Sequence, residues 1–166
     1  ASLETVIGMY IVFMLLNAAL YMGIYGVQGW NVNIQSSLHY ASSTYDLTFL
    51  QMFLISVALN ILGLIAMTII TLFISAKLNA PVTALIASCV VCFLPVLFDF
   101  SESVPLLQKL QEVCPIFMLH MNGVFTSVKT YMGIQQPVIM FLFNLCLICL
   151  FYFLIRNTTK KHQVMG

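Results

Sequence analysis

Two Cys-x-x-Cys pairs have the spacing that binds zinc or forms a redox pair. Cys89 and Cys92 lie in SCVVCFLP, and Cys146 and Cys149 lie in CLIC. Both pairs fall inside long apolar stretches, where a charged thiolate is very costly. On a helix, positions i and i+3 place two small apolar groups on one face. We therefore interpret the cysteines as packing groups and expect no metal site.

Other catalytic patterns are missing from the sequence. The three histidines, His39, His120 and His162, lie outside the apolar stretches, and no His-Glu-x-x-His motif occurs. The chain also lacks the G-x-x-x-x-G-K-[ST] motif that holds ATP in P-loop proteins. We expect no catalytic residue and no cofactor bound by the chain itself.

The composition is that of an integral membrane protein. Of the 166 residues, 61% are hydrophobic and only 7% are charged, whereas soluble domains carry about 25% charged residues. The mean hydropathy is +1.03. The net charge is +1, with no basic run that would suggest a nucleic-acid partner.

Four apolar stretches without Asp, Glu, Lys or Arg have about the length needed to cross a bilayer. They cover residues 6–27, 49–74, 81–98 and 137–155, and the third is the shortest. Lipid offers the backbone no hydrogen bonds, so such stretches must be helical. The sequence predicts an all-α, four-transmembrane-helix bundle forming one domain over residues 1–166.

The connections between these spans predict an orientation. Residues 28–48 and 99–136 form loops on one side, and the 75–80 turn and the 156–166 tail lie on the other. The turn and tail carry most of the Lys and Arg residues, namely Lys77, Arg156, Lys160 and Lys161, against Lys109 and Lys129 in the loops. Because basic residues favour the cytoplasmic side, we expect both termini to be cytoplasmic.

The second loop contains an amphipathic segment before the last span. Leucines recur at helical spacing from Leu106 to Leu110, and Pro115 is a plausible end of that helix. The apolar run at 116–125 is too short to span. Two interpretations are open: an interfacial or re-entrant segment, or an outer cap with its own small core. Pro95, which must kink or end the third span, would form an outer hinge or gate together with Pro115.

Three asparagines lie within the predicted spans: Asn17, Asn60 and Asn144. An asparagine at membrane depth usually hydrogen-bonds to a neighbouring helix. The functional alternative is a polar path for a solute. The spans contain no charged residue, so the ion relay of a secondary transporter is missing.

The order of several local patterns resembles a known family. GWNVNIQ precedes a span ending LFISAKLNAPVTALI, and a span ending FLPVLF precedes LLQKLQEVCPIFMLHMNG. A Tyr131–Gly133 stretch, the last span and a short basic tail follow. In this order the chain resembles the C-terminal part of ABC-2-type transporter permeases, especially those of bacterial antibiotic and peptide exporters.

This resemblance implies a membrane permease in the bacterial plasma membrane, surrounded by lipid and paired as a homo- or heterodimer. ATP would be hydrolysed by a separate ATP-binding-cassette subunit, facing the turn that contains Lys77, Leu78 and Asn79. The family has six spans and re-entrant helices in its last outer loop, so four spans suggest a fragment of a longer permease. The alternative is a non-transporting membrane protein, such as an immunity, sensor or assembly factor.

Overall fold

The structure is a computed structural model that describes residues 2–78, 80–97, 105–119, 122–126, 129–131 and 133–164. It is about 82% helical. Three of its helices are long and apolar enough to cross a membrane: α1 (Ser2–Tyr25), α2 (Phe49–Lys77) and α6 (Gln136–Val164). The prediction of a helical protein with spans of membrane-crossing length is thereby confirmed for three helices.

Helix α1 is followed by a glycine, and it makes few contacts with the rest of the protein. Gly26 has φ +75°, and its N–H donates to the Met22 carbonyl at 2.9 Å. This left-handed position directly after a helix is one that glycine adopts without a steric penalty. No part of the apolar stretch of α1 is buried inside the protein. Helix α1 is therefore peripheral.

The loop between α1 and α2 returns on itself. The Ile34 N–H donates to the Leu47 carbonyl at 2.9 Å, and the Phe49 N–H donates to the Val32 carbonyl at 3.1 Å. Two short 3₁₀ turns, Ile34–Ser36 and Leu38–Tyr40, lie between these bonds. The loop is thus a folded lobe whose two ends are paired, which positions the start of α2.

Helix α2 has defined signals at both ends. Thr48 and Gln51 form a capping box in which each side chain accepts from the other residue's backbone N–H. At the far end, Lys77 lies in the last turn, where a cation is favourable. Helix α3 (Pro81–Leu97) begins with proline, which needs no N–H partner at a helix start.

Helix α3 is shorter than the other predicted spans. Its 17 residues are about 26 Å long at ~1.5 Å per residue, less than the ~30 Å of bilayer hydrocarbon. It is therefore not among the three helices of membrane-crossing length. Pro95 lies inside this helix, two residues before its end at Leu97.

The segment before the last helix contains several short elements. Helix α4 (Pro105–Val113) is followed by a 3₁₀ turn (Pro115–Leu119), and we call these two elements together the insert. Helix α5 (Asn122–Thr126) and a hairpin of β1 (Thr130–Tyr131) and β2 (Ile134–Gln135) come next. The all-α prediction omitted this hairpin, because two-residue strands are too short to show an alternating pattern.

The hydrophobic core lies at the end of the bundle where α2 and α6 begin. Its members come from the first loop, α2, the insert, α5 and α6: Ile34, Tyr40, Leu59, Val113, Met118, Val124, Phe125 and Met140. Towards the other end, the rings of Phe73 and Phe151 meet edge to face at 5.3 Å. Helices α2 and α6 therefore run side by side in the same direction, with the loops packed over their starts.

Candidate functional site

The insert rests on the middle of helix α2. A Cβ built on Gly63 would lie 2.9 Å from the Pro115 carbonyl oxygen and 3.0 Å from the Met118 Cβ. Both distances are too short for a side chain to fit without moving the insert backbone. Gly63 is fourteen residues from Lys77, about 21 Å at ~1.5 Å per residue. The apolar turn at Pro115–Leu119 thus reaches mid-helix rather than staying above the helix ends.

Asn144 of α6 fastens the same insert from the other side. This residue is fully buried, and its Nδ2 donates to the Val113 carbonyl at 3.0 Å and to the Met140 carbonyl at 2.8 Å. Its Oδ1 has no hydrogen-bond partner among the described residues. Since Val113 is the last residue of α4, the asparagine satisfies one of the carbonyls that a helix end leaves open.

The insert also contacts the end of α3. The Gln111 Nε2 donates to the Pro95 carbonyl at 2.5 Å. Both residues of the predicted hinge pair are therefore involved in contacts of the insert. Pro95 accepts a hydrogen bond from the insert, and Pro115 is part of the insert. On the side of the loops, Lys129 and Glu112 form an ion pair with Nζ and Oε1 2.6 Å apart.

The three asparagines predicted within the spans have separate partners. Asn60 is buried, and its Nδ2 donates to the Tyr10 hydroxyl of α1 at 2.8 Å. Asn17 is exposed, and its Nδ2 donates to the Phe13 carbonyl of its own helix at 2.8 Å. Together with Asn144 they account for one hydrogen bond between α1 and α2, one between the insert and α6, one within α1 and one within α6. Their hydrogen bonds do not join them into a single polar path.

The turn that was predicted to face an ATPase is only partly described. The Lys77 ammonium lies 5.9 Å from the centre of the Phe73 ring, within reach of a cation–π contact. The Leu78 N–H donates to the Ile74 carbonyl at 3.1 Å and closes the helix. Asn79 lies outside the described residues. Lys77 is exposed, so its charge is available at this end of the protein.

An open groove of about 440 Å³ runs between the first halves of α2 and α6. Its walls are almost wholly apolar, and they consist of Tyr45, Leu47, Ile55, Ala58, Leu59, Phe125, Gln135, Pro137, Val138 and Phe141. The Tyr45 ring meets Phe125 edge to face at 5.9 Å. The Tyr45 hydroxyl is buried and has no hydrogen-bond partner among the described residues.

Two tyrosines of the first loop have perturbed ionisation. Burial raises the pKa of Tyr40 and of Tyr45 above the ordinary value for tyrosine, because a phenolate loses solvation when it is removed from water. Both side chains therefore stay neutral at physiological pH. The Tyr45 hydroxyl is thus a neutral donor that is enclosed by the protein.

The cysteines take different positions from those expected of packing groups. Cys89, Cys146 and Cys149 are exposed on the helix surfaces, while Cys92 and Cys114 are half-buried. All five are free thiols. Within the described part of the chain, no three His, Cys, Asp or Glu side chains group together in a way that could hold a metal ion.

Sequence reasoning did not identify Gly63 or the groove. The sequence shows Gly63 only as a glycine within an uninterrupted apolar helix. Such a glycine can allow another segment to pack closely, but it can also occur without any packing role. The groove is lined by residues that are far apart in the sequence, such as Ala58 and Val138, which are eighty residues apart. Tyr45 had a signal as an aromatic residue near a span end, but its unpartnered hydroxyl is a property of the fold.

The chain matches no protein-family model, no curated protein and no solved structure. Its function is therefore inferred from the contacts described above and from the sequence patterns that resemble ABC-2-type permeases. Those contacts describe a helical protein in which the insert is fixed against α2, α3 and α6.

Proposed function

We propose that this chain is the membrane-spanning permease subunit of an ABC-2-type exporter, driven by a separate ATP-binding-cassette ATPase. Helices α1, α2, α3 and α6 would cross the bilayer as a four-helix bundle. ATP would bind the partner subunit, and this chain would supply the path and the moving helices. A second permease, identical or related, would complete the transporter, as the sequence resemblance implies.

The observation that carries the proposal is the depth of the insert. If Lys77 marks the inner edge of a ~30 Å hydrocarbon layer, the seat of the insert at Gly63 lies about 21 Å above it, counting ~1.5 Å per residue. The Pro115–Leu119 turn would then dip roughly 9 Å into the layer from the opposite face. A re-entrant segment directly before the last span is what the resemblance implies for this family.

The short third helix fits the same arrangement. Its end is joined to the insert by the bond from Gln111 to the Pro95 carbonyl. Helix α3, at ~26 Å, is shorter than the ~30 Å hydrocarbon layer, and the insert would fill the remaining thickness next to its end. Backbone that is neither helical nor paired is tolerated inside a membrane only when protein covers it. The packing of the 3₁₀ turn on α2 provides that cover.

The distribution of charge supports the proposed orientation. Lys77 ends α2, and Arg156 lies in the last part of α6 at the same end of the bundle. The loops at the other end carry Lys129, paired with Glu112. In a bacterial plasma membrane the more basic end would face the cytoplasm, so both termini would be cytoplasmic. The turn at Lys77 and Leu78 would then face the ATPase.

Transport by this bundle would require the insert to change its contacts. ATP-driven closure of the ATPase subunits would shift the population between two arrangements of the helices. The bonds from Asn144 to Val113 and from Gln111 to Pro95 hold the outer side in the arrangement described here. Pro95 and Pro115 flank the segment that would move, in the role of an outer hinge or gate.

The close fit at Gly63 also favours a second candidate function. A segment seated 2.9 Å from the place of a missing Cβ tolerates little movement. A non-transporting membrane protein, such as an immunity, sensor or assembly factor, has no need of such movement. In that case the insert is a fixed outer structure, and no ATPase partner is required.

Co-purification with an ATPase tests the two candidates. The full chain is expressed together with the ATP-binding-cassette ATPase encoded nearest to it, and the ATPase rate is measured with and without the chain in lipid. The permease proposal expects a stable complex and a changed rate. An ATPase lacking its P-loop lysine serves as the control for background hydrolysis. No complex and no rate change would favour the non-transporting candidate.

A further inference from the structure

We propose that the last turn of α2 and the neighbouring part of α6 bind the phosphate group of an anionic phospholipid. The phosphate would lie between the Lys77 ammonium and the Arg156 guanidinium. Binding of this kind requires that α2 and α6 lie in a bilayer, but it requires neither transport nor an ATPase. The occupant is a lipid of the adjacent leaflet, and it is resident rather than exported.

The two cations lie at the same level on neighbouring helices. The rings of Phe73 on α2 and Phe151 on α6 are 5.3 Å apart, which fixes the alignment of the two helices. Lys77 follows Phe73 by four residues, and Arg156 follows Phe151 by five. These intervals are about 6 Å and about 7.5 Å along helices that run in the same direction. Since packed helix axes are about 8–10 Å apart, one phosphate group can lie within reach of both long side chains.

The Lys77 ammonium is directed towards α6. Its Nζ lies 5.9 Å from the centre of the Phe73 ring, a favourable position for a cation next to an aromatic ring. Phe73 is also the residue of α2 whose ring meets Phe151 of α6. The charge is therefore held beside the contact between the two helices and does not extend along the axis of α2 into water. Lys77 is exposed, so the ammonium keeps donors that an anion can reach.

The depth of these charges favours a lipid over a soluble partner. Lys77 comes three residues after Ile74, and Arg156 comes directly after Ile155, the last apolar residues of their spans. Both cations therefore begin within about 5 Å of the apolar edge. A bilayer of ~40–45 Å with a ~30 Å hydrocarbon core has a headgroup layer of roughly 5–8 Å on each side. The two charges thus lie at the depth of the lipid phosphates, whereas a soluble protein would lie beyond them.

The charges at this end of the protein complement a phosphate. Residues 75–80 and 156–166 contain four Lys and Arg residues and no Asp or Glu, so they attract anions. A guanidinium binds two phosphate oxygens at once, and an ammonium acts as a compact point charge. Arg156 already interacts with another group of the protein, and its five N–H donors allow it to bind a phosphate as well.

Titration with phosphatidylglycerol tests the site. The lipid is added to the full chain in an uncharged detergent, and native mass spectrometry measures the fraction of chains that carry one lipid. Phosphatidylcholine with the same acyl chains is the reference, because its headgroup has no net charge. Each cation near an anionic headgroup contributes about fivefold in affinity, so we expect phosphatidylglycerol to bind about twentyfold more tightly than phosphatidylcholine.

Substitutions separate a defined site from a generally basic surface. Lys77→Gln and Arg156→Gln should each lower the affinity for phosphatidylglycerol by about fivefold, and Lys109→Gln, in the loop at the other end, should leave it unchanged. Ser75→Lys combined with Lys77→Ser keeps the net charge but moves the cation by about 200° around α2. Both positions are exposed, so this relocation should be tolerated, and it should lower the affinity as much as Lys77→Gln does. Circular dichroism of each variant confirms that it is folded.

Full affinity in the relocated variant would overturn the inference, because the position of the charge would then have no role. Equal affinity for the two lipids in the unmodified chain would overturn it as well. Displacement of the lipid by inorganic phosphate at constant ionic strength would assign the cations to a soluble phosphate instead. Unchanged lipid binding in Lys77→Gln, together with loss of an ATPase complex, would assign Lys77 to the ATPase. Selective lipid binding by a chain that forms no ATPase complex would support the site while contradicting the permease proposal.

Discussion

Helices α1 and α6 are similar in composition and differ in how they pack. Both are long apolar helices, with mean hydropathy of 1.9 and 2.8 in their spanning windows, and each contains an asparagine. Asn17 of α1 is exposed and bonds to its own helix, whereas Asn144 of α6 is fully buried and bonds to the insert. Composition therefore does not decide which helix is central. What differs is that the insert packs against α6 and is bonded to it through Asn144.

The largest effect on stability in this comparison is expected at Gly63, where the insert packs against α2. Gly63→Ala places a Cβ 2.9 Å from the Pro115 carbonyl, and a backbone atom cannot turn aside as a flexible side chain would. We expect the free energy of unfolding to fall by about 1–3 kcal/mol, the usual cost of overpacking. Thermal and denaturant unfolding in detergent micelles, followed by circular dichroism, measures the change.

Gly8→Ala is the matched control for this substitution. Gly8 is also helical and has no atom within 4 Å of its missing Cβ. Alanine is the better helix former by about 1 kcal/mol, so this variant should be as stable as the unmodified chain or slightly more stable. If Gly63→Ala behaves in the same way as Gly8→Ala, the insert does not rest on α2.

The next effect separates the two asparagines directly. Asn144→Leu keeps the number and branching of the side-chain heavy atoms but leaves the Val113 carbonyl without its donor from α6. We expect a loss of about 1–2 kcal/mol in the free energy of unfolding. Asn17→Leu removes a bond within one exposed turn and should change stability by less than about 0.5 kcal/mol.

These two leucine variants are compared in the same detergent. Labelling of Cys114 with a maleimide provides a second measurement, because this half-buried thiol follows Val113 and is released when the insert detaches. Its labelling rate should rise in Asn144→Leu and stay constant in Asn17→Leu. Equal stability and equal labelling would show that Asn144 is no more important than an exposed asparagine.

A smaller effect is expected where α1 touches α2. The bond between Asn60 Nδ2 and the Tyr10 hydroxyl joins these two helices within the apolar stretches. A double-mutant cycle with Asn60→Leu and Tyr10→Phe should give a coupling of about 0.6 kcal/mol, typical of such bonds in membrane proteins. A coupling near zero would mean that this hydrogen bond does not help to hold α1 against α2.

The sequence predicted the long helices well because each carries its own signal. A run of about 20 uncharged apolar residues needs no tertiary contact to be assigned as a helix. Local sequence features also indicate where α2 ends and where α4 begins. Lys77 is the last residue of α2, and the helical spacing of leucines begins after Pro105. Length was the weak point for α3, whose 17 residues are close to the limit for a span.

The contacts of the insert could not be predicted in the same way. The pairing of Asn144 with Val113 joins positions 31 residues apart, and nothing in either residue specifies the other. The sequence left a re-entrant segment and a capping segment with its own core as alternatives. The structure combines features of both, since Met118 packs on Gly63 of α2 and also belongs to the core that includes Ile34.

The smallest expected effect concerns the first loop, which covers the starts of α2 and α6. Burial raises the pKa of Tyr45 and Tyr40 in the folded protein, whereas unfolded tyrosine titrates near pH 10. An acid whose folded pKa is raised contributes its full stability below the unfolded pKa. That contribution is lost as the pH rises through the folded pKa, because the unfolded state releases its proton more readily. Burial also raises the pKa of the Cys114 thiol, which titrates near pH 8.5 in an unfolded chain. The thermal midpoint should therefore begin to decline near pH 8.5 and should decline further above pH 10.

Tyr45→Phe isolates the contribution of one of these groups. The variant lacks a buried hydroxyl that has no partner among the described residues, so in detergent without phospholipid it should be equally stable or slightly more stable at pH 8. Its decline above pH 10 should be shallower, while the buried Tyr40 still contributes to it. A decline as steep as in the unmodified chain would place the Tyr45 hydroxyl in water.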